Sequence, residues 1–203
     1  LCESVCDDVL ALLKFRSTLT VTAICDGAHE LWALLGQHLA AVSKVVAITE
    51  LIDLWHLLEK LGAAARVQHS VAAASSCVTR WRTSLLNHAD AARKIASEIA
   101  SWGKEWVKVG EETPVHDALT FLANHKARMN YAQARRQGRP VGSGAVEATC
   151  KSLIAVRFKR PGARWKQPSA DRIIQLRALA LSDRWGDGID LTLANLRQEV
   201  RAA

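Results

Sequence analysis

The sequence predicts an α/β fold: a small set of parallel strands with flanking helices, carrying a large all-helical insertion, so that most of the chain is helix. Three observations predict it. Two short β-branched runs, Leu19–Cys25 and Val45–Thr49, are separated by one helix-length segment, and a strand–helix–strand order implies parallel neighbours. After Ile52 the apolar spacing becomes helical and does not revert. Two strands alone do not make a stable domain, so either the fold is essentially helical or further strands lie upstream of Leu1. The second is the expectation.

Each element has its own signal. Val5 to Phe15 places Val9, Leu10, Leu12 and Leu13 at amphipathic helical spacing. The first strand stops at the turn dipeptide Asp26-Gly27. A helix is expected from His29 to Ala41. Leu51–Ala74, Arg80–Trp102 and His116–Ala134 read as three further helices, the last two punctuated by Gly110 to Pro114. The turn Gly138–Gly144 leads into a helix from Ala145 to Phe158, which Arg160-Pro161-Gly162 breaks. Another runs from Pro168 to Leu181 with Ser169 as N-cap, and a short polar tail follows.

Composition bounds the function. The 203 residues carry a formal charge of +7. From Lys126 to Trp185 there are fourteen Lys/Arg against three acids (Glu147, Asp171 and Asp183), so the remainder is net negative. Cationic charge gathered in one region points to a polyanionic partner. No apolar run reaches the ~18–20 residues a membrane span needs, and no secretory signal is visible. The five cysteines, at 2, 6, 25, 77 and 150, form no Cys-x-x-Cys pair. Neither structural zinc nor a disulfide framework is expected, and reduced thiols in a cytoplasm are.

Candidate chemistry concentrates on a few acids. Asp26 lies at the carboxyl end of the first strand, the edge where open α/β sheets bind ligands; the alternative is an ordinary Asx turn. Gly142-Ser143-Gly144-Ala145-Val146-Glu147 feeds one carboxylate into a first helical turn, followed by Lys151, Arg157, Lys159, Arg160, Arg164 and Lys166. A lone acid on a phosphate-attracting surface suits a divalent cation held against a phosphodiester. The macrodipole accounts for Glu147 alone but not for the clustered cations. Asp53 and His56 stand three residues apart, either supporting such a site or forming a local acid–histidine pair. Trp81, between Arg80 and Arg82, is more simply a buried residue than a base-stacking one, and Trp102 and Trp106 read as core.

In combination these segments resemble the middle and C-terminal parts of a bacterial insertion-sequence transposase. The resemblance runs through Cys25-Asp26-Gly27-Ala28, Asp53-x-x-His56 with Leu58-Glu59-Lys60-Leu61, Arg128-Met129-Asn130-Tyr131, the Gly142–Glu147 block, Arg157-Phe158-Lys159, Gly162-Ala163-Arg164-Trp165 and Leu176-Arg177-Ala178. It covers most of residues 20–185.

The resemblance implies the DDE class, with a ribonuclease-H-like core in which two aspartates and a glutamate hold two Mg²⁺ or Mn²⁺ ions. Asp26 then corresponds to the second aspartate and Glu147 to the glutamate, with Asp53 and His56 in support. Residues 1–56 would belong to the core, 57–138 to a helical insertion, 139–186 to the returning core with its DNA-contacting segment, and 187–203 to a polar tail. The implied activity is metal-dependent cleavage and strand transfer of DNA during transposition. Transposon ends and target DNA would be bound by Lys151, Arg157, Lys159, Arg160, Arg164 and Lys166, within a homo-oligomeric complex in the bacterial cytoplasm.

The family's first aspartate has no counterpart on a strand before Asp26; Glu3, Asp7 and Asp8 fall in or beside a predicted helix. The expectation is therefore the C-terminal part of a transposase, inactive or nearly so by itself. The alternatives are a DNA-binding remnant that modulates an intact transposase, and a basic helical adaptor, which the Gly142–Trp165 block argues against.

Overall fold

A computed structural model describes residues 2–42 and 44–202. The chain divides into two compact units, residues 1–143 and 144–203.

The first unit begins with α1 (Cys2–Leu12), β1 (Leu19–Cys25), α2 (His29–Ala40) and β2 (Val45–Ile52). The strands pair in parallel, Thr20 opposite Ala47 through Cys25 opposite Ile52, with one irregularity after Leu19. The strand–helix–strand reading therefore holds, and β1 has its predicted limits. Of the apolar residues expected to line α1, Val9 and Leu13 are buried against Leu39, whereas Leu10 and Leu12 face solvent.

β2 runs three residues beyond the predicted Thr49. Glu50 interrupts the apolar run in sequence, but an ion pair with Arg128 neutralises it. Leu51 and Ile52, expected to open a helix, are instead buried strand residues.

A helical body follows: α3 (Leu54–Gln68), α4 (Val71–Asn87), α5 (Ala91–Ala100), α6 (Pro114–His125), a 3-10 turn at Lys126–Arg128 and α7 (Tyr131–Arg136). The predicted helices are thus cut more finely. His69 adopts extended geometry (φ −123°, ψ 158°) and Ser70 caps α4 through the Ala73 N–H at 3.5 Å. His88 (φ −127°, ψ 128°) likewise separates α4 from α5. The third predicted helix breaks after His125, and Asn130 caps α7 through the Gln133 N–H. Each cap satisfies an N–H that a helix start leaves orphaned, which is why a polar residue inside an apolar pattern can end one helix and open another.

The body has a continuous core. Leu57, Leu61, Trp81, Leu85, Ile95, Ile99, Val115, Leu122 and Tyr131 are all buried within it. Trp81 is 1% exposed, stacks on Trp102 (centroids 6.1 Å apart) and donates Nε1–H to Glu98 at 2.9 Å. Glu98 also accepts from Arg80 at 2.6 Å, so the half-buried carboxylate is paired. Trp106, expected in the core, is instead 69% exposed and stacks on His116 at 4.3 Å.

The second unit comprises α8 (Gly144–Cys150), a π-helical stretch (Lys151–Ala155), α9 (Val156–Phe158), α10 (Gln167–Leu181) and α11 (Trp185–Ala202). The π-helical turn displaces carbonyls from the normal ladder, and Arg177 of α10 takes up those of Leu153 (2.9 Å) and Ser152. α10 starts one residue before its predicted Pro168; Lys166, not Ser169, occupies the N-cap, without a side-chain bond. The segment expected as a polar tail is helical as α11. Asp183, at φ +56°, turns the chain between the two helices. Gly188 allows their close approach: a Cβ there would sit 2.8 Å from Leu179 Cδ1.

Candidate functional site

Asp26 is the first residue after β1 and opens the turn that ends the strand. Its carboxylate is exposed and accepts the Ala28 N–H at 3.2 Å, an Asx turn that orients the side chain at the sheet's carboxyl edge. Gly27 follows at φ +113°, a conformation that strains any side chain. A Cβ at Gly27 would also lie 2.9 Å from Phe121 Cε2 and 3.1 Å from His125 Nε2. The Asp26-Gly27 turn is therefore pressed against α6.

At the end of the neighbouring strand sits Asp53, 4% exposed. The Asp53 N–H donates to the Cys25 carbonyl at 2.8 Å, which ties it to β1. One carboxylate oxygen accepts the N–H groups of Trp55 (2.7 Å) and His56 (3.1 Å), capping α3. The other accepts the Ser143 N–H, and Leu54 N–H donates to the Val141 carbonyl at 3.0 Å. Gly142 packs on the Trp55 ring so tightly that a Cβ would lie 2.9 Å from Cδ1. The Gly142-Ser143 turn is thus clasped to the carboxyl edge of the sheet by Asp53. Burial raises this carboxyl's pKa, but the bonds from Ser143, His56 and Trp55 more than offset it and hold the group below the ordinary carboxylate range.

Asp53 and His56 are therefore linked through an N-cap. The His56 ring stands edge-on to Phe121 (centroids 6.0 Å), with Nδ1 3.8 Å from Glu59. With both Asp53 oxygens engaged by backbone donors, its geometry suits positioning rather than direct metal ligation.

Glu147 lies in the first turn of α8, in the second unit. The six cations singled out by sequence, Lys151, Arg157, Lys159, Arg160, Arg164 and Lys166, are all exposed. Among the described residues none of them forms an ion pair. Arg160 Nε donates to the Val156 carbonyl at 2.8 Å, and Trp165 packs on Phe158 at 5.0 Å, fixing the loop that carries Arg164 and Lys166. Glu3, Asp7 and Asp8 all fall on α1, as expected, rather than on a strand.

At the sheet edge Asp26 offers carboxylate oxygen; beside it burial first, then the charges of Asp26 and Glu50, push the Cys25 thiol pKa upward. Among the described residues, no three His, Cys, Asp or Glu side chains group as a metal-holding cluster, and no helix is long and apolar enough to cross a membrane.

Several residues escaped the sequence reading. His125 is 4% exposed, its Nδ1 has no hydrogen-bond partner, and its ring packs on Phe121 (4.6 Å) and His29 (5.5 Å) beside the Asp26-Gly27 turn. Burial first, then His29, Arg128 and Lys60, lower its pKa and favour the neutral imidazole. A groove of about 560 Å³ follows β2 from Ile48 to Leu51. Arg128, paired to Glu50 and stacked over Trp32 at 4.9 Å, and Arg139, bonded to Thr49, flank it. Arg128 and Arg139 were visible in sequence as part of the cationic excess; that they bracket a strand was not. Comparison with protein-family models, curated proteins and solved structures gives no significant match.

Proposed function

We propose that the chain is the C-terminal part of a DDE-type transposase, acting in metal-dependent cleavage and strand transfer of DNA. The observation that carries this reading is the Gly142–Trp165 block, in which a glycine-serine turn, a single carboxylate and a run of cations follow one another. The position of Asp26 at the carboxyl end of a parallel strand, and the fastening of Gly142-Ser143 to that edge by Asp53, support it.

In this reading Asp26 and Glu147 are the metal-binding carboxylates. Bound Mg²⁺ or Mn²⁺ would polarise the scissile phosphodiester and supply a nucleophile at neutral pH. Asp53 acts as a positioning residue through the Ser143 N–H, and His56 belongs to the same capped turn. Lys151, Arg157, Lys159, Arg160, Arg164 and Lys166 neutralise backbone phosphates, which fixes DNA register without reading sequence. These residues provide two of the three carboxylates the chemistry requires, so DNA binding without appreciable nicking is the expected behaviour of the chain by itself.

The test records DNA binding across a salt series and Mn²⁺-dependent nicking of supercoiled plasmid in the same reactions. Neutralising Arg157, Lys159 and Arg160 together should reduce the slope of log affinity against log salt by about 2–3. Nicking that disappears in both Asp26→Asn and Glu147→Gln would mean that the chain completes its own metal site. Binding that is indifferent to divalent metal, in wild type and both variants, favours the second reading: a non-catalytic DNA-binding remnant that modulates intact transposase. Absence of salt-sensitive DNA binding contradicts both.

A further inference from the structure

The second unit leaves an apolar seam open along α11. Ile189, Leu193, Leu196 and Val200 follow a 4-3-4 spacing, the repeat of a helix that packs along a second helix. They are 45%, 44%, 50% and 77% exposed. Beside the seam, Trp185, Ile189 and Leu193 join Leu176 and Leu179 of α10 around an open groove of about 190 Å³. Among the described residues of this unit not one is buried. Isolated apolar side chains on a surface are ordinary, but a periodic stripe with an apolar groove beside it marks a contact surface.

We infer that this seam is a homodimer interface, in which α11 pairs antiparallel with α11 of a second copy. The commitment to a second copy comes from the sequence symmetry of the seam and its charges. In an antiparallel pairing centred between residues 194 and 195, Ile189 meets the partner's Val200 and Leu193 meets the partner's Leu196. The stripe is therefore complementary to itself, as a two-fold interface requires. The same register sets Asp190 beside the partner's Arg197, and Arg197 beside the partner's Asp190. Both side chains are exposed, and neither forms an ion pair among the described residues. A parallel pairing would place Arg197 next to the partner's Thr192 and form no ion pair at these flanking positions, so the charge pattern selects the antiparallel arrangement. Apolar side chains of the second copy are of the kind the α10–α11 groove would accept. This inference does not depend on the transposase reading.

Sedimentation equilibrium of the full chain tests it, with circular dichroism confirming helix content in each variant. Wild type is expected to dimerise reversibly, and Leu193→Asp combined with Leu196→Asp to be monomeric. Because that pair could also disturb α11 itself, the decisive variants lie on the rim. Asp190→Arg and Arg197→Asp should each raise the dimer dissociation constant roughly tenfold, by replacing two attractive pairs with two repulsive ones. The double reversal, Asp190→Arg with Arg197→Asp, should restore it to near wild type, since the pairs are regenerated with signs exchanged. A wild-type chain that stays monomeric, single reversals without effect, or a double reversal no better than the singles would each overturn the inference.

Discussion

The helical body of the first unit and the helices of the second are built from the same secondary structure and differ in where their apolar residues go. In the body, Trp81, Leu85, Ile95, Ile99 and Tyr131 are all nearly or completely buried. In the second unit no described residue is buried, and Leu176, Leu181, Leu191, Leu196 and Val200 all face outward. The polar groups diverge in parallel. Glu98 and Arg80 of the body are paired with each other, whereas the cations from Lys151 to Lys166 stand without ion pairs among the described residues. One region carries its stability within itself; the other presents a surface of charge and apolar stripes. Helical propensity is common to both, so it is the burial pattern that distinguishes the two regions.

The largest expected effect is in the body. Trp81→Ala should cost about 3–5 kcal/mol, through the cavity it leaves and the loss of a donor to Glu98. Urea unfolding would measure it. By contrast Leu181→Ala, at a side chain already 57% exposed, should change stability by no more than about 0.5 kcal/mol. A loss above about 2 kcal/mol there would place a buried core in the second unit and break the comparison.

Next in size is Asp53→Ala, expected to cost about 1–3 kcal/mol through the lost cap and the lost bond from the Ser143 N–H. The pH dependence gives a sharper test. Hydrogen bonding holds the folded pKa of Asp53 below its unfolded value of about 3.9. The Asp53 contribution is therefore present above that pH and is lost as pH falls through the folded pKa. Asp53→Asn should flatten the acid limb of the stability profile and leave the slope near neutrality unchanged. Last comes Tyr131→Phe, the one substitution predicted not to destabilise. The Tyr131 hydroxyl is buried without a hydrogen-bond partner, and burial raises its pKa far beyond the ordinary tyrosine value. Its removal should leave stability unchanged or raise it by up to about 1 kcal/mol.

The strand–helix–strand start was legible because β-branched runs and an Asp-Gly turn are local signals. Helix existence was legible for the same reason, but the breaks at His69 and His88 were not, since neither glycine nor proline marks them. The extension of β2 depended on Arg128 neutralising Glu50 from 78 positions away, a contact no local window contains. α11 was missed because Gly186, Gly188 and two nearby aspartates gave its first turns the composition of a tail, while the 4-3-4 spacing lies further on. At the candidate site, Asp26 and its glycine were readable as a turn at a strand end. That Asp53 clasps Ser143 was not, because the two are 90 residues apart. Trp106 was misplaced because its spacing from Trp102 suits a helix face, and Lys104 to Gly110 form no helix.

The most direct test of the proposed function is Mn²⁺ binding by electron paramagnetic resonance in the presence of DNA. Wild type should take up Mn²⁺, and Asp26→Asn and Glu147→Gln should each lose that binding while keeping their helix content and salt-sensitive DNA affinity. No uptake by wild type, or uptake that survives both substitutions, would contradict the proposal that these two carboxylates bind the metal.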